Sequence, residues 1–163
     1  MKDRLFHFDK ITENYRTCFG KEMRHLYKSI NMNYTVKAKS SRSSEGIIQT
    51  GEHQINFGVS KENDLPTPAD LLTAAFAACC LKNVERFSEF MHFTYNTAEI
   101  SVNASRKDKP PMIDKITFSL TIETTEEGIN TDLLLRNMQK FGTIYNTLNA
   151  VCEIEGEIVI ENI

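Results

Sequence analysis

One stretch of the chain is apolar at almost every position. Within residues 71–81, Thr73 is the one polar side chain beside the two cysteines. Just before it, Thr67 can cap a helix, Pro68 fits a first turn, and Asp70 faces the positive end of a helix dipole. A helix that is apolar on every side is enclosed on every side, and this one is shorter than the roughly 20 apolar residues that cross a bilayer. The pattern therefore predicts a central buried helix in a soluble domain.

The flanking segments alternate apolar and polar residues with a period of two, which predicts strands. A second helix is expected from Asn130, with a further short helical turn over residues 143–148. The resulting order is βββ-α-ββ-α-β, which favours an α+β fold with antiparallel sheets enclosing the central helix. Residues 1–31 have apolar positions at roughly helical spacing, so we expect an N-terminal helical extension before a domain over residues 32–163. The predicted strands cover residues 33–39, 47–50, 54–59, 98–104, 115–122 and 151–161, with a turn over residues 106–111 that contains two prolines.

Composition narrows the class of protein. The chain has 163 residues, 40% hydrophobic and 25% charged, which suits one globular domain. A formal net charge of -3 gives no reason to expect a nucleic-acid or membrane partner. The N-terminus lacks the apolar core of a signal peptide, so a cytoplasmic protein is expected. Four cysteines without Cys-x-x-Cys or His-x-x-x-His spacing predict neither a metal site nor a cofactor.

Two adjacent cysteines on the apolar helix, Cys79 and Cys80, are the candidate chemistry. Neighbouring helical residues point about 100° apart, so one thiol can fill the core while the other faces a cleft. A thiol reacts as the thiolate, which burial disfavours, so a reactive cysteine here needs a cationic partner. Arg42, in the turn after the first strand, is the preferred candidate and Arg106 the weaker one. The alternative is that both cysteines are ordinary small core residues.

The run PADLLTAAFAAC over residues 68–79 resembles the central-helix motif of the OsmC/Ohr family, the osmotically induced and organic-hydroperoxide-resistance proteins. The likeness covers about residues 32–162. It implies an intertwined homodimer with a site at the subunit interface, where Cys79 attacks a hydroperoxide. An arginine from the first-strand turn, matched by Arg42, would activate the thiol. An acidic residue of the motif would orient that arginine; Ala69 stands at the usual acidic position, and the next residue, Asp70, could substitute.

The resemblance also implies a second cysteine that closes a disulfide, and this chain departs from it there. The family's segment aligns with residues 142–146, which puts Gly142 at that position. Cys152 is expected to face the core, and resolution by Cys80 is geometrically awkward, which leaves an external small thiol as an alternative.

Two functions remain open. The first is a one-cysteine thiol peroxidase acting on organic hydroperoxides, with Cys79 as nucleophile, Arg42 as activator and Asp70 as orienter. The second is a non-peroxidatic family member that binds a small apolar ligand in a pocket at the dimer interface. Retention of Cys79 and Arg42 favours the first function, and Gly142 favours the second.

Overall fold

The computed structural model describes residues 33–42, 45–60 and 64–163. The extension predicted over residues 1–31 lies outside the described residues. Residues 38–163 form one compact unit. Its order confirms the predicted α+β arrangement, with a short third helix at the predicted helical turn. The elements are β1 (Lys37–Ser40), β2 (Gly46–Thr50), β3 (His53–Phe57), α1 (Pro68–Met91), β4 (Thr97–Asp108), β5 (Pro111–Thr124), α2 (Thr131–Phe141), α3 (Thr143–Asn149) and β6 (Glu153–Asn162).

Helix α1 begins where its start signal predicts. The Thr67 hydroxyl accepts a hydrogen bond from the Asp70 backbone N–H at 3.3 Å, while the Asp70 carboxylate accepts one from the Thr67 backbone N–H at 2.8 Å. This reciprocal capping box satisfies two backbone donors that a helix N-terminus otherwise leaves unpaired, and Pro68 follows in the first turn. The sequence therefore fixes the entry of α1 locally.

One face of α1 builds the core. Phe76, Cys80, Val84 and Phe87 are buried on this face, and the helix packs against β4, α2 and α3. On a neighbouring stripe of the same helix, Leu72 and Phe90 are 39% and 43% exposed, which is unusual for large apolar residues on a core helix. The single chain thus encloses one face of α1 and leaves an apolar stripe uncovered.

The second sheet has the order β4-β5-β6. Its first two strands are long and antiparallel, as predicted, and they continue to Asp108 and restart at Pro111, so the predicted turn from Arg106 is too long. The prediction of antiparallel sheets is wrong for β6, which runs parallel to β5. The two intervening helices return the chain to the same end of the sheet, which is the connection that parallel strands require.

An aromatic contact holds α1 on this sheet. Phe118 of β5 lies opposite Gly156 of β6, and a Cβ atom on that glycine would come within 2.3 Å of the Phe118 ring. The ring therefore lies over the bare glycine. Phe76 of α1 meets the same ring edge-on at a centroid distance of 5.7 Å. This packing sets the rotation of α1 and so decides which of its residues face inward.

The first sheet has the order β1-β2-β3, with β2 and β3 antiparallel. All four residues of β1 are exposed, where the alternation predicts a half-buried strand. Among the described residues, the strands of this sheet pack mainly on one another. They make no large contact with the helices or with the second sheet. In the part of the chain described, no helix combines the length and the apolar character needed to span a membrane.

Candidate active site

The three cysteines among the described residues differ in exposure. Cys80 is 1% exposed, and burial first and the neighbouring Cys79 second raise its pKa to about 12. Cys152 is also buried; its thiol donates to the Leu148 carbonyl oxygen at 3.2 Å, and burial followed by the nearby Asp114 raises its pKa. Cys79 is half-buried. Of the described thiols, Cys79 is therefore the most exposed to solvent.

Asn83 lies one turn after Cys79 and contacts it. Its Nδ2 donates to the Cys79 carbonyl oxygen at 2.8 Å and lies 3.7 Å from the Cys79 Sγ atom, within hydrogen-bond range for sulfur. Asn83 is 7% exposed. Sequence reasoning missed this residue, although its signal was present: an asparagine four residues after the cysteine, one helical turn away on the same side of the helix.

Gly142 lies against the same carboxamide. It ends α2 and precedes α3, and its backbone N–H donates to the Met138 carbonyl oxygen at 2.8 Å. A Cβ atom at this position would lie 2.7 Å from that oxygen and 3.2 Å from the Asn83 Nδ2 atom. The position that the resemblance assigns to a second cysteine is thus close to the candidate site, but it is too crowded for a side chain.

The other two predicted site residues are not joined to Cys79 among the described residues. Arg42 is exposed in the turn after β1, and no hydrogen bond or ion pair there links it to Cys79 or Asp70. Asp70 caps α1: its Oδ2 atom accepts bonds from the backbone and hydroxyl of Thr67, in that order of effect, and they hold the Asp70 pKa below its usual range. The structure thus assigns Asp70 to helix capping, whereas its predicted role toward Arg42 stays a prediction.

A different guanidinium lies on the stripe of α1 that carries Cys79. Arg86 is seven residues after Cys79, two helical turns along the same face. It lies over the rings of Phe87 and Phe141, at 5.4 and 5.6 Å from their centroids. These distances suit cation–π interactions, which hold the cation at the end of the stripe. Sequence reasoning missed Arg86, since contacts between separate elements leave no local signal.

Metal chemistry finds no geometric support in this region. Among the described residues, no group of three or more His, Cys, Asp or Glu side chains is arranged to hold a metal ion. Two features remain at the site: the half-buried thiol of Cys79 and the buried amide donor of Asn83 beside it. Leu72 and Phe90 add exposed apolar surface on the same side of α1.

A core helix with a half-exposed cysteine, packed on one three-stranded sheet in a chain that also forms a second such sheet, defines a class of thiol-bearing α+β domains. The family model described as OsmC-like protein matches residues 61–157, more than half of the chain, and the chain belongs to this family. A comparison with functionally curated proteins finds no significant sequence match.

Solved structures share the fold at low sequence identity. An OsmC-like protein from Mycoplasma pneumoniae is 17% identical with a TM-score of 0.73, over 80% of this chain and 99% of that one. An organic hydroperoxide resistance protein OsmC from Legionella pneumophila is 14% identical with a TM-score of 0.61, over 80% and 99%. The organic hydroperoxide resistance protein OhrB of Bacillus subtilis is also 14% identical, with a TM-score of 0.54, over 80% and 98%. At these identities the likeness establishes the fold.

Proposed function

We propose that this protein is a one-cysteine thiol peroxidase that reduces organic hydroperoxides through Cys79. The observation that carries the proposal is the exposure of Cys79 at the cysteine of the OsmC-like motif, beside a Cys80 that is 1% exposed. The fold shared with organic hydroperoxide resistance proteins supports the choice of substrate class. In this proposal Arg42 activates the thiol, and Asp70 orients Arg42 through Oδ1, since the capping bonds from Thr67 go to Oδ2.

The reaction needs two external thiols. The Cys79 thiolate attacks the terminal peroxide oxygen; an S–O bond forms, the O–O bond breaks, and the departing alkoxide takes a proton from water. Cys79 is then a sulfenic acid, oxidised by two electrons, and the hydroperoxide has become an alcohol. A low-molecular-weight thiol condenses with the sulfenic acid and releases water, and a second such thiol restores Cys79 and leaves as a disulfide. Gly142 supplies no internal sulfur for this step.

The test is site-resolved mass spectrometry after one equivalent of cumene hydroperoxide. We expect oxidation of Cys79 with Cys80 and Cys152 unchanged, and recovery of the Cys79 thiol on addition of excess small thiol. The expected selectivity follows from burial, because a buried neutral thiol is neither ionised nor accessible. Cys79→Ser should abolish peroxide consumption, whereas Cys152→Ser should leave it intact. Oxidation of Cys79 no faster than that of a free cysteine peptide would reject the peroxidase.

A second function would then take its place, namely binding of a small apolar ligand without peroxide chemistry. Gly142 favours it, because a protein that only binds a ligand does not need a second cysteine to restore its thiol. The exposed Leu72 and Phe90 favour it too, as they leave apolar surface on the same side of α1 as Cys79.

We also propose that the protein is a homodimer in which a second copy covers the side of α1 that carries Leu72, Cys79 and Phe90. Leu72 precedes Cys79 by seven residues and Phe90 follows it by eleven, so all three lie on one stripe of α1. Leu72 and Phe90 are exposed on this stripe in the single chain, and among the described residues the first sheet makes no large contact with the helices. Exchange of first sheets between two copies would cover both surfaces and place Cys79 at the interface.

Light scattering coupled to size exclusion tests the dimer. We expect a mass twice the 18.6 kDa of one chain. Leu72→Glu should shift the protein toward a monomer, because a charge on an apolar interface is costly to bury. Val159→Glu is the matched control: Val159 of β6 has the same 39% exposure but lies on the second sheet rather than on α1, so this variant should stay dimeric. A monomeric wild-type protein at micromolar concentration would contradict the proposal.

A further inference from the structure

Asn83 is an unusual residue for its place in the fold. It lies in the interior of a 24-residue helix, where asparagine is an unfavourable choice because its side chain competes for backbone hydrogen bonds. It is also 93% removed from solvent, and buried polar groups are retained where they have hydrogen-bond partners. Its side-chain nitrogen makes both of its contacts with atoms of Cys79.

The orientation of the carboxamide follows from these partners. A carbonyl oxygen accepts hydrogen bonds and cannot donate, so the Asn83 atom at 2.8 Å from the Cys79 carbonyl must be the nitrogen. An amide nitrogen carries two N–H bonds, one for this carbonyl oxygen and one for the Sγ atom at 3.7 Å. The second N–H therefore points toward the sulfur that the proposed function uses as its nucleophile.

Gly142 provides the space for this arrangement. Any side chain there would begin 3.2 Å from the Asn83 Nδ2 atom and 2.9 Å from the Tyr145 Cβ atom, which is tighter than ordinary van der Waals contact. Asn83 and Gly142 thus form a complementary pair from α1 and the end of α2. The pair fills the region next to Cys79 with an amide donor where the resemblance expects a second sulfur.

We propose that Asn83 is a positioning residue for Cys79: its amide N–H fixes the direction of the sulfur and stabilises the thiolate. The inference rests on the proposed function for its relevance to peroxide reduction, but it concerns the thiol itself and can be tested without peroxide. A hydrogen bond to an anion is stronger than one to a neutral group, so the contact favours the ionised form. The same donor makes the thiolate a weaker nucleophile once formed, because nucleophilicity falls as the thiolate is stabilised.

These two effects predict that the rates of Cys79 alkylation in the wild type and in an Asn83 variant change order as the pH rises. Asn83→Leu keeps the branched shape of the side chain and removes the donor. Near pH 7, we expect iodoacetamide to alkylate Cys79 about threefold more slowly in this variant, because the loss of the amide donor outweighs the higher nucleophilicity of the thiolate that remains. Near pH 10, where most thiols are ionised, the variant should react about twofold faster. Site-resolved mass spectrometry separates Cys79 from the other thiols.

Asn137→Leu is the matched control. Asn137 of α2 also donates to a sulfur, but to that of the Met91 thioether at 3.9 Å rather than to Cys79. The same substitution there should leave the Cys79 profile unchanged, and thermal unfolding will show that both variants fold. A structural role alone would slow or speed alkylation of the Asn83 variant by the same factor at both pH values, and that parallel shift would overturn the proposal.

The outcomes separate this inference from the proposed function. A crossover together with slow peroxide oxidation of wild-type Cys79 would uphold Asn83 and reject the peroxidase. Fast peroxide oxidation of Cys79 with no crossover would uphold the peroxidase and reject Asn83.

Discussion

Replacing Phe76 with alanine is expected to lower the free energy of unfolding by about 3–5 kcal/mol, as found for fully buried aromatic residues. Phe76 has no exposed surface. Its ring meets Phe118 of β5 edge-on and lies against Tyr145 of α3, each at a centroid distance of 5.7 Å. The substitution would leave a cavity where α1, the second sheet and α3 meet, since the close-packed neighbours can only partly collapse into it.

Urea denaturation at a fixed protein concentration measures this loss, the concentration being held because a dimer's stability depends on it. Phe76→Leu is the graded control: it keeps most of the volume and removes mainly the ring contacts, so we expect less than half of the alanine effect. It also gives a measurable value if the alanine variant does not fold. Equal losses for the two variants, or a loss below about 1 kcal/mol for alanine, would show that Phe76 is not the centre of this core.

The elements of this fold were predictable because their signals are local. The cap of α1 depends on Thr67, Pro68 and Asp70, which lie within four residues of one another, and the structure confirms it as a capping box. The alternation in β4 and β5 needs only the side-chain order along each strand. The direction of β6 is different, because alternation is typical of antiparallel strands and β6 alternates although it pairs parallel to β5. The two helices between β5 and β6 do indicate the direction of β6, because a helical crossover is typical of parallel pairing.

The candidate site was predictable only in part, because its partners come from separate elements. Cys79 lies within a recognisable motif, and its half-buried state agrees with the prediction that one of the two adjacent thiols faces outward. Asn83 and Gly142 are 59 residues apart in sequence and meet only when α2 ends against α1. Arg42 was chosen from strand order, and no described contact joins it to Cys79. A loop residue's reach depends on packing between elements, and in the proposed dimer on a second chain.

Substitution of Gly142 by cysteine is expected to destabilise the protein without restoring an internal disulfide. The resemblance treats this glycine as a lost cysteine, so Gly142→Cys would restore a two-cysteine peroxidase if the position were otherwise equivalent. The structure indicates the opposite. A Cβ atom there would lie 2.7 Å from the Met138 carbonyl oxygen and 2.9 Å from the Tyr145 Cβ atom. Because the closest of these atoms belongs to the backbone, the end of α2 would have to shift, and overpacking of this kind costs about 1–3 kcal/mol.

We therefore expect Gly142→Cys to unfold at lower urea concentration than the wild type, and to form no rapid disulfide with Cys79 after one equivalent of cumene hydroperoxide. Gly142→Ala should show most of the same loss of stability, because the conflict begins at the Cβ atom rather than at the sulfur. Non-reducing peptide mapping detects the disulfide, and urea denaturation at fixed protein concentration measures the stability. A stable Gly142→Cys protein that closes a disulfide with Cys79 would mean that the space beside Asn83 adapts to a second sulfur. Loss of stability without a disulfide would instead mean that packing requires glycine at this position. The proposed peroxidase would then depend on an external thiol, because the junction between α2 and α3 leaves no room for a second cysteine.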